Sequence, residues 1–182
     1  MNSKTGKTLI LGGFAADAAL SALSFLEYFL KIGIISGSTV SIFNIISTLA
    51  MPVAAAGFGI LFLANRNIMD LAAAGGCALS AFNSIAIKIL GPIAPLDIVS
   101  IGTGFIGLVV LVCMICWAYR LYAVAPIATF AVTVAAVLPF LVGFISSIAR
   151  LEMEDYILVS CLVDLVAACA LAGAAFLDFR ES

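Results

Sequence analysis

Asp17 and Asp164 each interrupt a long apolar run, in Phe14-Ala-Ala-Asp17-Ala-Ala-Leu20 and in Leu162-Val-Asp164-Leu-Val-Ala167. An acid at the centre of a bilayer costs roughly 2.5 to 3.5 kcal/mol on insertion scales, so it faces a bundle interior or a wet cavity. No Lys or Arg lies at the same depth in any apolar run. That leaves two chemistries: a carboxyl that keeps its proton, or a carboxylate that holds a cation. The pair is therefore the first-choice site for binding or conducting a proton, a cation or a small solute. Asn44, Asn83, Ser80 and Thr48 are the nearest polar support. The competing reading is structural, with each acid protonated and hydrogen-bonded to a neighbouring helix at about 0.6 kcal/mol per bond.

Other chemistry is excluded by what the chain lacks. It has no His, which removes the commonest metal ligand and the commonest general base, and with them Ser-His-Asp, Cys-His and His-metal sites. No metal and no cofactor are indicated. The cysteines Cys77, Cys113, Cys116, Cys161 and Cys169 are odd in number and all lie inside apolar runs, so they form no disulfide framework. Only Cys113-Met-Ile-Cys116 has redox spacing, and a redox pair needs a thiolate and an accessible partner. A thiol oxidoreductase of the vitamin K epoxide reductase type would add a second cysteine pair in a loop, and no loop carries one. The cysteines read as small hydrophobes and the chain as a non-enzyme, intramembrane redox chemistry being a distant third reading. Gly102-Thr-Gly-Phe-Ile-Gly107 has the letters of a dinucleotide fingerprint, but that motif works only between a strand and a helix. Eight Lys and Arg against ten Asp and Glu, with no basic cluster, leave no surface for nucleic acid.

The elements that hold these residues follow from composition. Of 182 residues, 65% are hydrophobic and 10% charged, against roughly 25% charged in a soluble domain. Apolar stretches bounded by charge, Gly or Pro predict spans at 8–30, 40–64, 68–90, 96–119, 124–149 and 155–178. The expected fold is all-α: one transmembrane domain over 1–182, a polytopic bundle of about six helices joined by short loops. The run from Thr8 to Leu30 is longer than a signal-peptide core of roughly 7 to 15 residues and reads as the first span. Asp17 lies about ten residues into that span and Asp164 about nine into the sixth, so both fall near mid-membrane at roughly 1.5 Å per residue. Lys4, Lys7, Arg66, Arg120 and Arg180 on one side, against Lys31, Lys88 and Arg150 on the other, favour both termini inside.

Most charges have a local explanation. Lys31, Arg66, Lys88, Arg120, Arg150 and Arg180 each sit at or just past a helix end, where the helix dipole attracts cations. Asp70, Asp97 and the Glu152, Glu154, Asp155 group sit at helix starts, where it attracts acids. Trp117, Tyr119 and Tyr122 read as an interfacial aromatic belt. Pro52 and Pro139 fall within spans two and five, where they kink a helix. Small residues crowd the first and sixth spans. Gly12, Ala15, Ala19 and Ala22 in one and Gly173 in the other are candidates for close helix packing or for docking a partner.

In size, span count and an Ala-rich first helix the chain is compatible with the substrate-binding component of an energy-coupling-factor vitamin transporter, an architectural likeness that rests on no matched motif. The expected function is a small transport component of a plasma membrane, binding or conducting a small solute, cation or proton within the bundle. The alternative is a non-transporting accessory or scaffold subunit. Its expected partners are the lipid bilayer and a second copy or another membrane protein.

Overall fold

Apolar segments of this length must satisfy their own backbone N–H and C=O groups, because lipid offers no hydrogen bonds; a helix does so within one segment. In the computed structural model, which describes residues 3–31, 38–90, 96–149 and 153–181, six helices result. They are α1 (Ser3–Leu30), α2 (Ser38–Asn65), α3 (Ile68–Leu90), α4 (Leu96–Tyr122), α5 (Pro126–Ala149) and α6 (Met153–Arg180). Among the described residues there is no strand. Five helices are long and apolar enough to cross a membrane, and α5 contributes a shorter apolar stretch, Pro126–Val142. The protein is an all-helical, multi-pass membrane bundle.

Each helix packs against the next, and α6 returns to α1. The six thus form a closed ring in which α1 lies across from α4, α2 from α5 and α3 from α6. The start of α1, the start of α3, the end of α4 and the end of α6 meet through Lys7, Asp70, Arg120 and Asp178, so successive helices alternate in direction. The face carrying both termini is called the terminal side below, and the opposite face the distal side.

Two terminal-side connections are tight and locally explained. Arg66 takes a left-handed conformation (φ 55°), and its N–H donates to the Phe62 carbonyl at 2.7 Å, which closes α2. The Asn67 side chain then accepts the Met69 N–H at 3.0 Å and caps the start of α3. Between α4 and α5, the Ala125 N–H returns to the Leu121 carbonyl at 2.7 Å, and Pro126 fills the first helical position, where a missing N–H costs nothing. Lys31 ends α1 as Arg66 ends α2, with φ 51°. The bases expected at helix ends are thus in place for α1, α2, α3, α4 and α6; Arg150 and the side chains of Asp97, Glu152, Glu154 and Asp155 lie outside the described residues.

The bundle is unequal along its axis. Burial has a distal limit in every helix, at a depth that differs from helix to helix: Leu20 in α1, Ala50 in α2, Ala81 in α3, Met114 in α4, Ala135 in α5 and Val163 in α6. On the terminal side of that limit lies a continuous core. On its distal side no described residue is buried. The terminal half closes because its helices present small residues to one another, as lipid-embedded helices do. A Cβ on Gly13 would stand 2.6 Å from the Ala50 carbonyl oxygen and 2.8 Å from the Ala54 nitrogen, and one on Gly57 2.6 Å from the Gly6 carbonyl oxygen. α1 and α2 therefore touch backbone to backbone.

Trp117 departs from the expectation of an aromatic belt. It is fully buried, stacked on Phe14 of α1 with ring centroids 5.4 Å apart and edge-on to Phe58 of α2 at 5.0 Å. Its residue type suits an interface, but a large ring also fills the axis of a six-helix ring, and here that role wins. Tyr119 and Tyr122 point outward at the same helix end, as an interfacial belt requires.

Candidate functional site

The Phe14, Phe58 and Trp117 rings close the axis of the bundle, and the two acids lie on the distal side of that closure. Asp17 follows Phe14 by nearly one helical turn and is half-buried. Its charge acts on Cys77 of α3 and it feels Asp164 of α6. Asp164 sits beside Val163, where burial ends in α6, and is exposed there. Lys7 and Asp178 meet at the terminal end, so depth can be counted from them along α1 and α6. At about 1.5 Å per residue Asp17 lies about 15 Å in and Asp164 about 21 Å in. The acids are staggered along the α1–α6 seam, within electrostatic reach but not level.

Their supporting residues are less closely gathered. Asn83 is half-buried and Asn44 exposed, both distal to the limit of burial in their helices. Among the described residues neither side chain makes a hydrogen bond. The Thr48 hydroxyl donates to the Asn44 carbonyl at 2.7 Å and is engaged along its own helix, while the backbone carbonyl of Ser80 accepts from the Ser84 hydroxyl at 3.1 Å. Cys77 is buried beside Asp17, and Cys113 lies against Gly76 with its Cβ in the place a Gly76 side chain would take. All five cysteines are free thiols. Among the described residues no group of acids and cysteines could hold a metal ion.

A second polar cluster was not foreseen. On the terminal side of the aromatic closure, the Lys7 ammonium donates to the Asp178 carboxylate at 2.9 Å and to its backbone carbonyl at 2.6 Å. Arg120 spans two acids, reaching Asp70 at 2.5 Å and Asp178 at 3.2 Å. Lys7, Asp70 and Asp178 are buried and the Arg120 side chain is 12% exposed. Two cations and two anions cancel, which is what a dry site demands of its charges. Asp70 and Arg120 each have a sufficient local explanation at a helix end, and Lys7 has one as a positive charge of the inner side, and those explanations conceal that the three meet Asp178. The available signal was that all four lie within about two turns of the terminal side, two of each sign.

The small residues divide between the inside and the outside of the ring. The backbone contacts are made by Gly6, Gly13 and Gly57, and Gly76 lies against the Cys113 side chain. Gly12, Ala15, Ala19 and Gly173 are exposed and Ala22 is half-buried. A Cβ on Gly12 or Gly173 would meet nothing within 4 Å. Gly102 and Gly104 of the dinucleotide-like letters are equally open, within α4.

No family model, no curated protein and no solved structure matches the chain.

Proposed function

We propose that the protein is a small plasma-membrane transport component that admits a cation or proton from the distal side and holds it at Asp17 and Asp164. The observation that carries this reading is that two acids stand on the distal side of the aromatic closure, Asp17 half-buried and Asp164 exposed, and that among the described residues neither is paired with a cation. A structural acid would be expected to have a partner, as Asp70 and Asp178 have on the terminal side of that closure. Charge supports a cation over an anion. Among the described residues distal to the aromatic closure, the acids Asp17, Glu27 and Asp164 outnumber the bases Lys31 and Lys88. Such an excess raises the local concentration of cations and speeds their arrival. The test is proton and alkali-cation flux in proteoliposomes. Asp17→Asn should abolish flux and Asp164→Asn should reduce it, with the purified chain still monodisperse; unchanged flux in both variants overturns the reading.

The scaffold reading has its own observation. Gly12, Ala15 and Ala19 share an outward-facing side of α1, and Gly173 lies outward on α6. In lipid such a face lets another helix approach closely. Affinity purification from native membranes separates the two readings. A stoichiometric partner lost on Ala19→Leu or Gly173→Leu favours an accessory subunit, and retention of activity by the isolated chain favours the transport component.

A further inference from the structure

We infer that the Lys7–Asp178–Arg120–Asp70 network is the latch of a terminal-side gate, with α2 and α5 as the helices that bend when it opens. The inference rests on the transport reading and adds to it a route out of the site.

Three observations carry it. The network and the aromatic rings beneath it are the barrier between Asp17 and the terminal side. The charges are on α1, α3, α4 and α6, so their separation would part four of the six helices together. Buried ion pairs are poor sources of net stability compared with apolar side chains of the same volume, since desolvation offsets most of their attraction. What they offer instead is reversibility, because each charge released from its partner is rehydrated when the helices part. The two helices without a member of the network, α2 and α5, face each other across the ring and each contains a proline near its middle. Pro52 lies two residues from Ala50 and Pro139 four from Ala135, the residues at which burial ends in those helices. A proline removes one helical hydrogen bond and crowds the carbonyl four residues before it, so bending concentrates there. Two bend points at one depth, in opposite helices, lie distal to an aromatic closure whose Trp117 indole N–H is buried, as is one Asp70 oxygen beside it, without a hydrogen-bond partner among the described residues. A closed state that leaves these groups unsatisfied gives up less on opening than one in which every group is paired.

Cys77, fully buried just distal to the rings, is the reporter. With the other four cysteines replaced by Ala, a membrane-impermeant methanethiosulfonate is added to the terminal side of sealed vesicles. Cys77 should be protected in the otherwise unaltered chain and in Arg120→Lys, which keeps the charge, and should react at least tenfold faster in Arg120→Gln or Asp178→Asn. A folded Arg120→Gln or Asp178→Asn chain in which Cys77 stays protected overturns the gate. So does failure of both to yield a monodisperse protein, because the charges are then a staple that holds the bundle together. Labelling and flux fail separately: flux indifferent to Asp17 sinks the transport reading whatever Cys77 does, and a protected Cys77 with normal flux sinks the gate alone.

Discussion

The two halves of the bundle are built from the same six helices, yet one is a core and the other is not. In the terminal half, Ala54, Ala73, Ala128 and Ala174 are fully buried, and Trp117 fills the axis. In the distal half, the same helices carry Ser21, Ser24, Ser47, Thr48, Asn83 and Ser160 at half-buried positions, and no described residue is buried. Association in lipid depends on close van der Waals approach, not on expulsion of water. Small residues at matched levels therefore decide where a bundle shuts. Polar side chains at the same spacing leave it open and give water a reason to enter.

Removing the side chain that fills the terminal axis should show this most strongly. Trp117→Ala is expected to cost about 3 to 5 kcal/mol, a large-to-small change in a filled core. Its distal counterpart Phe25→Ala, which loses one stacked neighbour at 5.7 Å, should cost about 1 kcal/mol. Unfolding midpoints in mixed detergent micelles compare the two, and equal losses would erase the distinction between the halves. Overfilling comes next: Gly13→Leu must push two backbones apart and should cost about 1 to 3 kcal/mol, read in the same assay. Asp17→Asn should change stability by only about 0.6 kcal/mol, the worth of one hydrogen bond between membrane helices, while abolishing cation flux. A larger loss of stability with flux intact would move Asp17 into the structural half of the comparison. Smallest of all, Gly12→Leu and Gly173→Leu have open space before them and should stay within about 0.5 kcal/mol of the parent. A loss of stability there in lipid but not in detergent would reveal a partner helix.

The six helices were legible because hydropathy is a local property: a run of apolar residues between charges is complete evidence for a span. The helices extend beyond the expected spans by at most five residues, at the start of α1. Asp17 and Asp164 were legible for the same reason, being charges in places where charges are costly. What could not be read was choice among faces. Small residues surround α1 on every side, so spacing could not say that Gly6 and Gly13 meet α2 while Gly12 and Ala19 face out. Nor could it join Lys7 to Asp178, separated by 171 positions in the chain. Lys7 had an adequate account where it stood and Asp178 had none, and the pairing exists only because α6 closes the ring on α1.

The unequal burial also has an electrical meaning. A membrane potential falls across the dry part of a protein, at about 2.3 kcal/mol per unit charge per 100 mV. Here the dry part is the terminal half, from Leu20 to Lys7, about 20 Å of helix. Most of the voltage would be focused across that layer, so on the transport reading proposed above an ion reaching Asp164 would have crossed little of it, and one leaving Asp17 for the terminal side would cross nearly all of the remainder. Voltage should accordingly change the rate of release more than the affinity of capture. The neutral quartet of Lys7, Asp70, Arg120 and Asp178, carrying no net charge at the far edge of the field, can open without doing electrical work.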